Sequence, residues 1–174
     1  MEFNLTKSLE ILERTPTVLN TLLSGLSDNW TMQNEGGETW SPYDVMGHLI
    51  HGERTDWMQR LNIILDSKGD NKFASFDRFA QFEESKGKTL NDLLTEFETI
   101  RKANLEKLKA LKLNNSHLEM TGIHPKFGSV TMKQLLSTWT VHDLAHTGQI
   151  VRVMAKQYKE EVGPWVEYLR ILQS

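Results

Sequence analysis

Four stretches of about twenty residues repeat apolar side chains every three or four positions, and this regularity confines the chain to a bundle of helices. Residues 5–25 carry Leu5, Leu9, Leu12, Leu19, Leu22 and Leu23 on one side. Residues 42–65 carry Val45, Met46, Leu49, Ile50, Trp57, Leu61 and Ile64. Residues 89–111 repeat Leu90, Leu93, Leu94, Phe97, Ile100, Leu105 and Leu108, and residues 131–157 follow the same rule from Leu135 to Val153. Twenty helical residues span about 30 Å, the length of a small bundle. Strand-type alternation is almost absent, so the expected class is all-α: a four-helix bundle with long crossover connections and a short C-terminal helix. At 174 residues the chain reads as a single domain, 1–174.

Local chemistry marks the helix ends. Thr15-Pro16 interrupts the first stretch, because proline lacks an N–H and pushes its predecessor away from helical angles. A kink or restart with Thr15 as cap is expected there. Ser41 caps the second helix, with Pro42 at the first helical position and Asp44 in the first turn. Thr89 and Asp92 open the third. Thr131 and Gln134 form a T-x-x-Q capping box at the fourth. Gly163-Pro164 opens the short last helix, with Trp165, Leu169 and Leu172 along one side.

Residues 66–88 and 112–130 are the two long connections, and the sequence does not say which helices they bring together. The first carries Phe73, Phe76, Phe79 and Phe82 at intervals of three. These are expected to pack onto the bundle rather than to form an aromatic ligand box.

Composition removes several function classes. The formal net charge is −3, so no basic field recruits nucleic acid. With no cysteine the chain has no disulfide, no thiolate zinc site and no cysteine nucleophile, and a metal must be held by His, Asp, Glu or water. No apolar run approaches 18 residues, and the N-terminus lacks the core of a signal peptide. A cytoplasmic protein away from membranes is expected.

Histidine carries the chemistry that remains. His142 and His146 stand four apart in "TVHDLAHTGQI", on a heptad-like seam of Leu135, Trp139, His142, His146, Gln149 and Val153. Both rings can reach one ion from that spacing. A cation would satisfy both, and so would hydrogen bonds to carboxylates, carbonyls or water, so the pair alone leaves the two readings level. "HDLAH" is not a zincin H-E-x-x-H, since Asp143 replaces the general-base glutamate and projects about 100° from His142. In the second helix the wheel places Glu53 near the middle of the apolar side and His48 well off it, beside Gly52, Thr55 and Gln59. On periodicity, Glu53 is as good a third ligand as His48, and His51 looks exposed. His124, in "GIHPKFG", reads as a plain loop residue.

The segments "WSPYDVMGHLIHGERTDW", "FDRFAQFEESKGKTLNDLLTEF", "HPKFGSVTMKQLLSTWTVHDLAHTGQIVRVMA" and "EVGPWVEYL" together resemble the DinB-like superfamily of metal-dependent proteins, in order and over nearly the whole chain. The resemblance implies a four-helix bundle with a three-histidine divalent-metal site whose ligands fall on His48, His142 and His146. Glu53, Asp143 and Gln149 become candidates for the surroundings of the metal or the cleft. The resemblance assigns no catalytic residue. It implies a small-molecule substrate and a homodimer, and the preference of neutral imidazole makes zinc or nickel the expected ion. Some members of the family are S-transferases using bacillithiol or a similar low-molecular-weight thiol, others are mycothiol-dependent isomerases, and many have no assigned activity. The chain is therefore expected to be a metal-dependent thiol S-transferase, with a metal-dependent hydrolase or a non-catalytic metal protein as alternatives.

Overall fold

The structure is a computed structural model that describes residues 1–66 and 68–173. Four helical arms form the bundle. The first is broken into α1 (Leu5–Leu12) and α2 (Thr15–Leu23). The break falls at Thr15-Pro16 as expected, but the N-cap is Arg14 and Thr15 is already helical; its hydroxyl donates to the Ile11 carbonyl at 3.1 Å. A single turn, α3 (Asp28–Thr31), leads to the second arm. That arm is also broken, into α4 (Pro42–Thr55) and α5 (Trp57–Leu65), with Asp56 at the junction (φ −116°, ψ −72°). The third arm is α7 (Leu90–Ala110) and the fourth α9 (Met132–Lys156), separated by the turn α8 (Asn115–Leu118). Ser41/Asp44, Thr89/Asp92 and Thr131/Gln134 all close as reciprocal capping boxes, satisfying otherwise orphaned N–H groups.

The arms are not arranged up and down in order. The second packs on the third and fourth, the fourth on the first, and the third on the first. The connection between the first and second arms and that between the third and fourth are therefore diagonal crossovers. The connection over 66–88 joins neighbours instead. It contains α6 (Ala80–Glu84), which lies against α4 at Gly47, where a Cβ would meet Ser85 Oγ at 2.5 Å and Gln81 Cβ at 3.2 Å.

The fold is the expected all-α bundle, and the connection over 112–130 adds one small β element to it. That connection carries a β-hairpin, β1 (Thr121–His124) and β2 (Gly128–Thr131), joined by the three-residue loop Pro125-Lys126-Phe127. Gly128 takes the left-handed angle (φ 71°) that such a loop requires. The strand segment beside it is supplied by Asn71–Phe73: Phe73 N–H donates to the Ile123 carbonyl, and Ile123 N–H to that of Asn71. Strands of four residues with a glycine in each show too little alternation to be legible. The C-terminal segment forms 3₁₀ turns, Gly163–Tyr168 and Arg170–Leu172. Leu172 is buried against α9, whereas Trp165 is 67 % exposed.

The core is in two parts. One holds Leu12, Trp57, Leu61, Leu105, Leu108 and Trp139. The other holds Leu19, Leu49, Ile50, Leu93, Phe97 and Ile150. Between them in each arm lies a polar stretch, and there the buried residues Glu53, Arg101, Asn104 and Asp143 form one layer. Arg101 donates to both Asp143 oxygens (2.5 and 2.9 Å), to Glu53 Oε1 (2.8 Å) and to the Leu12 carbonyl (3.0 Å). Asn104 and Trp139 Nε1 donate to Glu53, each at 2.9 Å. Burial alone would depress the guanidinium, but the two carboxylates beside it hold it well above its usual value.

Candidate metal centre

The register that stacks Glu53, Arg101 and Asp143 also aligns His48 of α4 with His142 and His146 of α9. His48 lies about one and a half turns before Glu53, and His142 and His146 flank Asp143 in the chain. The three histidines each offer one ring nitrogen, and these nitrogens all lie within 4.8 Å of one another. His48 Nε2 and His142 Nε2 are 3.1 Å apart. Trp40 (4.9 Å from the His48 ring), Trp57 (5.1 Å from His142) and Phe76 (5.5 Å from His48) wall the cluster.

The donor set fits a divalent cation. Two nitrogens bound to one zinc ion at about 2.0–2.1 Å lie about 2.9–3.4 Å apart, and the His48–His142 separation falls in that window. Both rings have a buried Nδ1 without a hydrogen-bond partner. A lone Nε2–Nε2 hydrogen bond thus leaves the pair under-satisfied, and an ion that engages both lone pairs repays part of that cost. Burial pushes His48 down to about 3 and His142 to about 2, and it lowers His146 as well. All three are neutral at physiological pH, the form that binds metal. Gln149 Oε1 accepts from His146 Nδ1 at 2.8 Å, which leaves Nε2 as the free lone pair of that ring. Gln149 thus lies beside the cluster and fixes the His146 ring by this hydrogen bond.

Glu53 and Asp143 belong to the Arg101 layer. Neither lines a cleft: Glu53 is 3 % exposed, Asp143 is fully buried, and both are turned to Arg101. Asp143 looked off the seam because a single wheel cannot show that an arginine 42 residues earlier receives it. His51 is likewise buried, not exposed. The turn α6 covers it, and its Nδ1 lies 3.0 Å from Glu84 Oε1. His124 is more than a loop residue. It ends β1, stacks on Phe127 at 4.6 Å and forms part of a cavity wall.

That cavity, about 300 Å³, runs from His48 and His142 to the hairpin, and Trp57, Phe73, Phe76, Phe127, Val130 and Leu135 give it a largely apolar lining. Phe73 is buried and packs on the bundle as expected, while Phe76 lies on the cavity wall and Phe79 and Phe82 are exposed. Asp56 and Arg60, paired at 2.6 Å, also line it. Burial pushes the Asp56 carboxyl up to about 6 despite the cation. Sequence reasoning passed over Asp56, since nothing in "ERTDWM" announces a helix junction. On the other side of the histidines lies a more open cleft of about 440 Å³, bordered by Trp40, Arg78, His146, Gln149 and Arg152.

The sequence model of the DinB superfamily matches residues 11–150. Among curated proteins none matches the chain significantly. Among solved structures the fold is similar to that of Bacillus subtilis YfiT, a probable metal-dependent hydrolase with an unusual four-helix bundle topology. The TM-score is 0.74 at 16 % sequence identity, over 90 % of this chain and 93 % of that one.

Proposed function

This chain belongs to the DinB superfamily, and we propose that His48, His142 and His146 hold a divalent metal ion, zinc or nickel, in a metal-dependent enzyme. The observation that carries the reading is the convergence of three neutral imidazoles, one buried and two half-buried, from two arms on one point beside a cavity. Three protein ligands leave a coordination position for substrate, the arrangement of catalytic sites. A metal bound there would supply Lewis acidity, favouring the anion of a coordinated thiol or water.

Transfer of a low-molecular-weight thiol to a small electrophile is the reaction we favour. Glu53 and Asp143, the acids of the buried layer, are committed to Arg101 and do not serve as bases. A thiol, with a pKa of about 8.5, needs far less help to ionise than water. The chain itself contains no cysteine, so the thiol is a cosubstrate. Hydrolysis is the second reading, favoured by the similarity to YfiT. A non-catalytic metal protein is the third. No helix of the described residues is long and apolar enough to cross a membrane, and we place the enzyme in the cytoplasm, acting on small molecules and not on nucleic acid. We also propose a homodimer. Val141, Leu144 and Val151 make an exposed apolar stripe along α9, with Ala145 and Gly148 between them.

Metal analysis of untagged protein tests the centre. Wild type should carry or take up one divalent ion per chain, and His48→Ala and His142→Ala should lose it. Unchanged stoichiometric metal in both variants, or a wild type that refuses zinc and nickel, overturns the site. Metal-dependent conjugation of an electrophile with a panel of thiols, set against ester and amide hydrolysis, separates transferase from hydrolase. No turnover in either assay leaves the non-catalytic reading.

A further inference from the structure

The two spaces that border the histidine cluster differ in chemistry and meet at a narrow boundary. The hairpin-side cavity and the open cleft have three lining residues in common: His48, Phe76 and His142. Two of these are in the histidine cluster. The third is an aromatic ring standing edge-on to His48 at 5.5 Å and 5.0 Å from His51. Phe76 is thus a partition, delivered by the 66–88 connection, and each space reaches the histidines from its own side.

Rings and aliphatic side chains make most of the cavity wall, and its two charged residues, Asp56 and Arg60, are spent on each other at 2.6 Å, so the lining suits an uncharged, largely apolar group. The cleft carries charge. Arg152 is held by Glu35 in a two-pronged pair (2.8 and 2.9 Å), to which Lys156 adds a contact at 3.2 Å. Glu38 stands at the exposed outer edge. Arg78 is different. Its guanidinium lies over Trp40 at 5.8 Å and Phe79 at 5.5 Å, and no carboxylate of the described residues lies within ion-pair distance of it. A guanidinium positioned on rings, with its donor fork unspent, is matched to a carboxylate or similar anion.

We infer that the centre takes two small molecules at once, an uncharged apolar one in the hairpin-side cavity and an anionic one in the cleft with its charge on Arg78, the two meeting across Phe76 at His48 and His142. This rests on the reading of the histidines as a metal centre and adds to it the division of the site and the class of each occupant.

Calorimetric titration of the zinc-loaded protein tests the inference with three probes: indole for the cavity, and mercaptoacetate and 2-mercaptoethanol for the cleft. Indole and mercaptoacetate should bind together, each leaving the other's Kd within about twofold. Arg78→Ala should weaken mercaptoacetate about tenfold, the size of one charge-assisted contact, and leave 2-mercaptoethanol and indole unchanged. Thr138→Trp, which lines the cavity and not the cleft, should abolish indole binding and spare mercaptoacetate. Mutual exclusion of indole and mercaptoacetate overturns the inference. So does an Arg78→Ala protein that binds mercaptoacetate as wild type does, or loses both thiols equally, and so does a wild type that binds only one class of probe. Failure of the metal reading gives a separate signature: no zinc per chain, with indole binding intact and 2-mercaptoethanol binding absent.

Discussion

At the residue scale, two buried groups of opposite character govern how the protein responds to solution conditions. His48 and His142 are neutral in the folded chain down to about pH 3 and about pH 2, whereas in the unfolded chain they protonate near 6.5. Above 6.5 both states carry the neutral rings, and the stability is fully present. Below it the unfolded state gains protons that the folded state refuses, so stability falls as pH drops from 6.5 towards 3. Urea titrations of metal-free protein between pH 7.5 and 5 should show a net proton uptake on unfolding, partly offset by Asp56, whose raised carboxyl releases its proton, and the uptake should be smaller in His142→Ala; a flat profile in both proteins would count against the burial of these rings. Arg101 acts differently. Replacing it with Met leaves the buried Glu53 and Asp143 without a cation and should cost about 3–5 kcal/mol in chemical denaturation. Replacing all three with apolar residues should recover much of that loss.

At the scale of elements, the long helices and the proline break of the first arm were legible, and the break of the second arm was not. The caps at Ser41, Thr89 and Thr131 are local chemistry, and each closes as the sequence indicates. The division of the second arm at Asp56 has no proline or glycine at the junction and accompanies tertiary packing: Trp57 stacks on Trp139 of α9 at 5.7 Å and stands over Gly52, where a Cβ would lie 3.3 Å from the indole nitrogen. The same limit applies to the site. His142 and His146 share one helix, so their spacing is visible in the chain. That His48 and not Glu53 joins them depends on how α4 is rotated against α9, which the wheel of either helix leaves open. The family resemblance named His48, and the structure brings its ring to the pair. The hairpin makes a prediction of its own. A Cβ on Gly122 would stand 2.4 Å from the Phe73 ring and 3.1 Å from Ile64. Gly122→Val should therefore lift the hairpin off α5, destabilise the fold by about 1–3 kcal/mol and weaken indole binding in the cavity, as thermal denaturation and calorimetry can record.

For the whole molecule, the diagonal crossovers place the second and fourth arms side by side, although the third intervenes in the chain. That adjacency lets α4 and α9 share a site. It also leaves the far side of α9 uncovered, with Val141 62 % and Leu144 53 % exposed. Light scattering of the purified protein should give a dimer, shifted to monomer by Leu144→Asp with the metal content unchanged. A monomeric wild type would exclude this face as a subunit contact.

The Arg101 layer has a further consequence for how the site can change over time. A one-turn slip of the second, third or fourth arm would strand a charge, so the layer acts as a key that permits a single alignment of those helices. None of its members is a histidine of the cluster. Alignment and chemistry are thus entrusted to different residues, and substitutions among the histidines leave the key untouched. Descendants of such a chain could exchange one metal for another, or lose it, while inheriting the same frame.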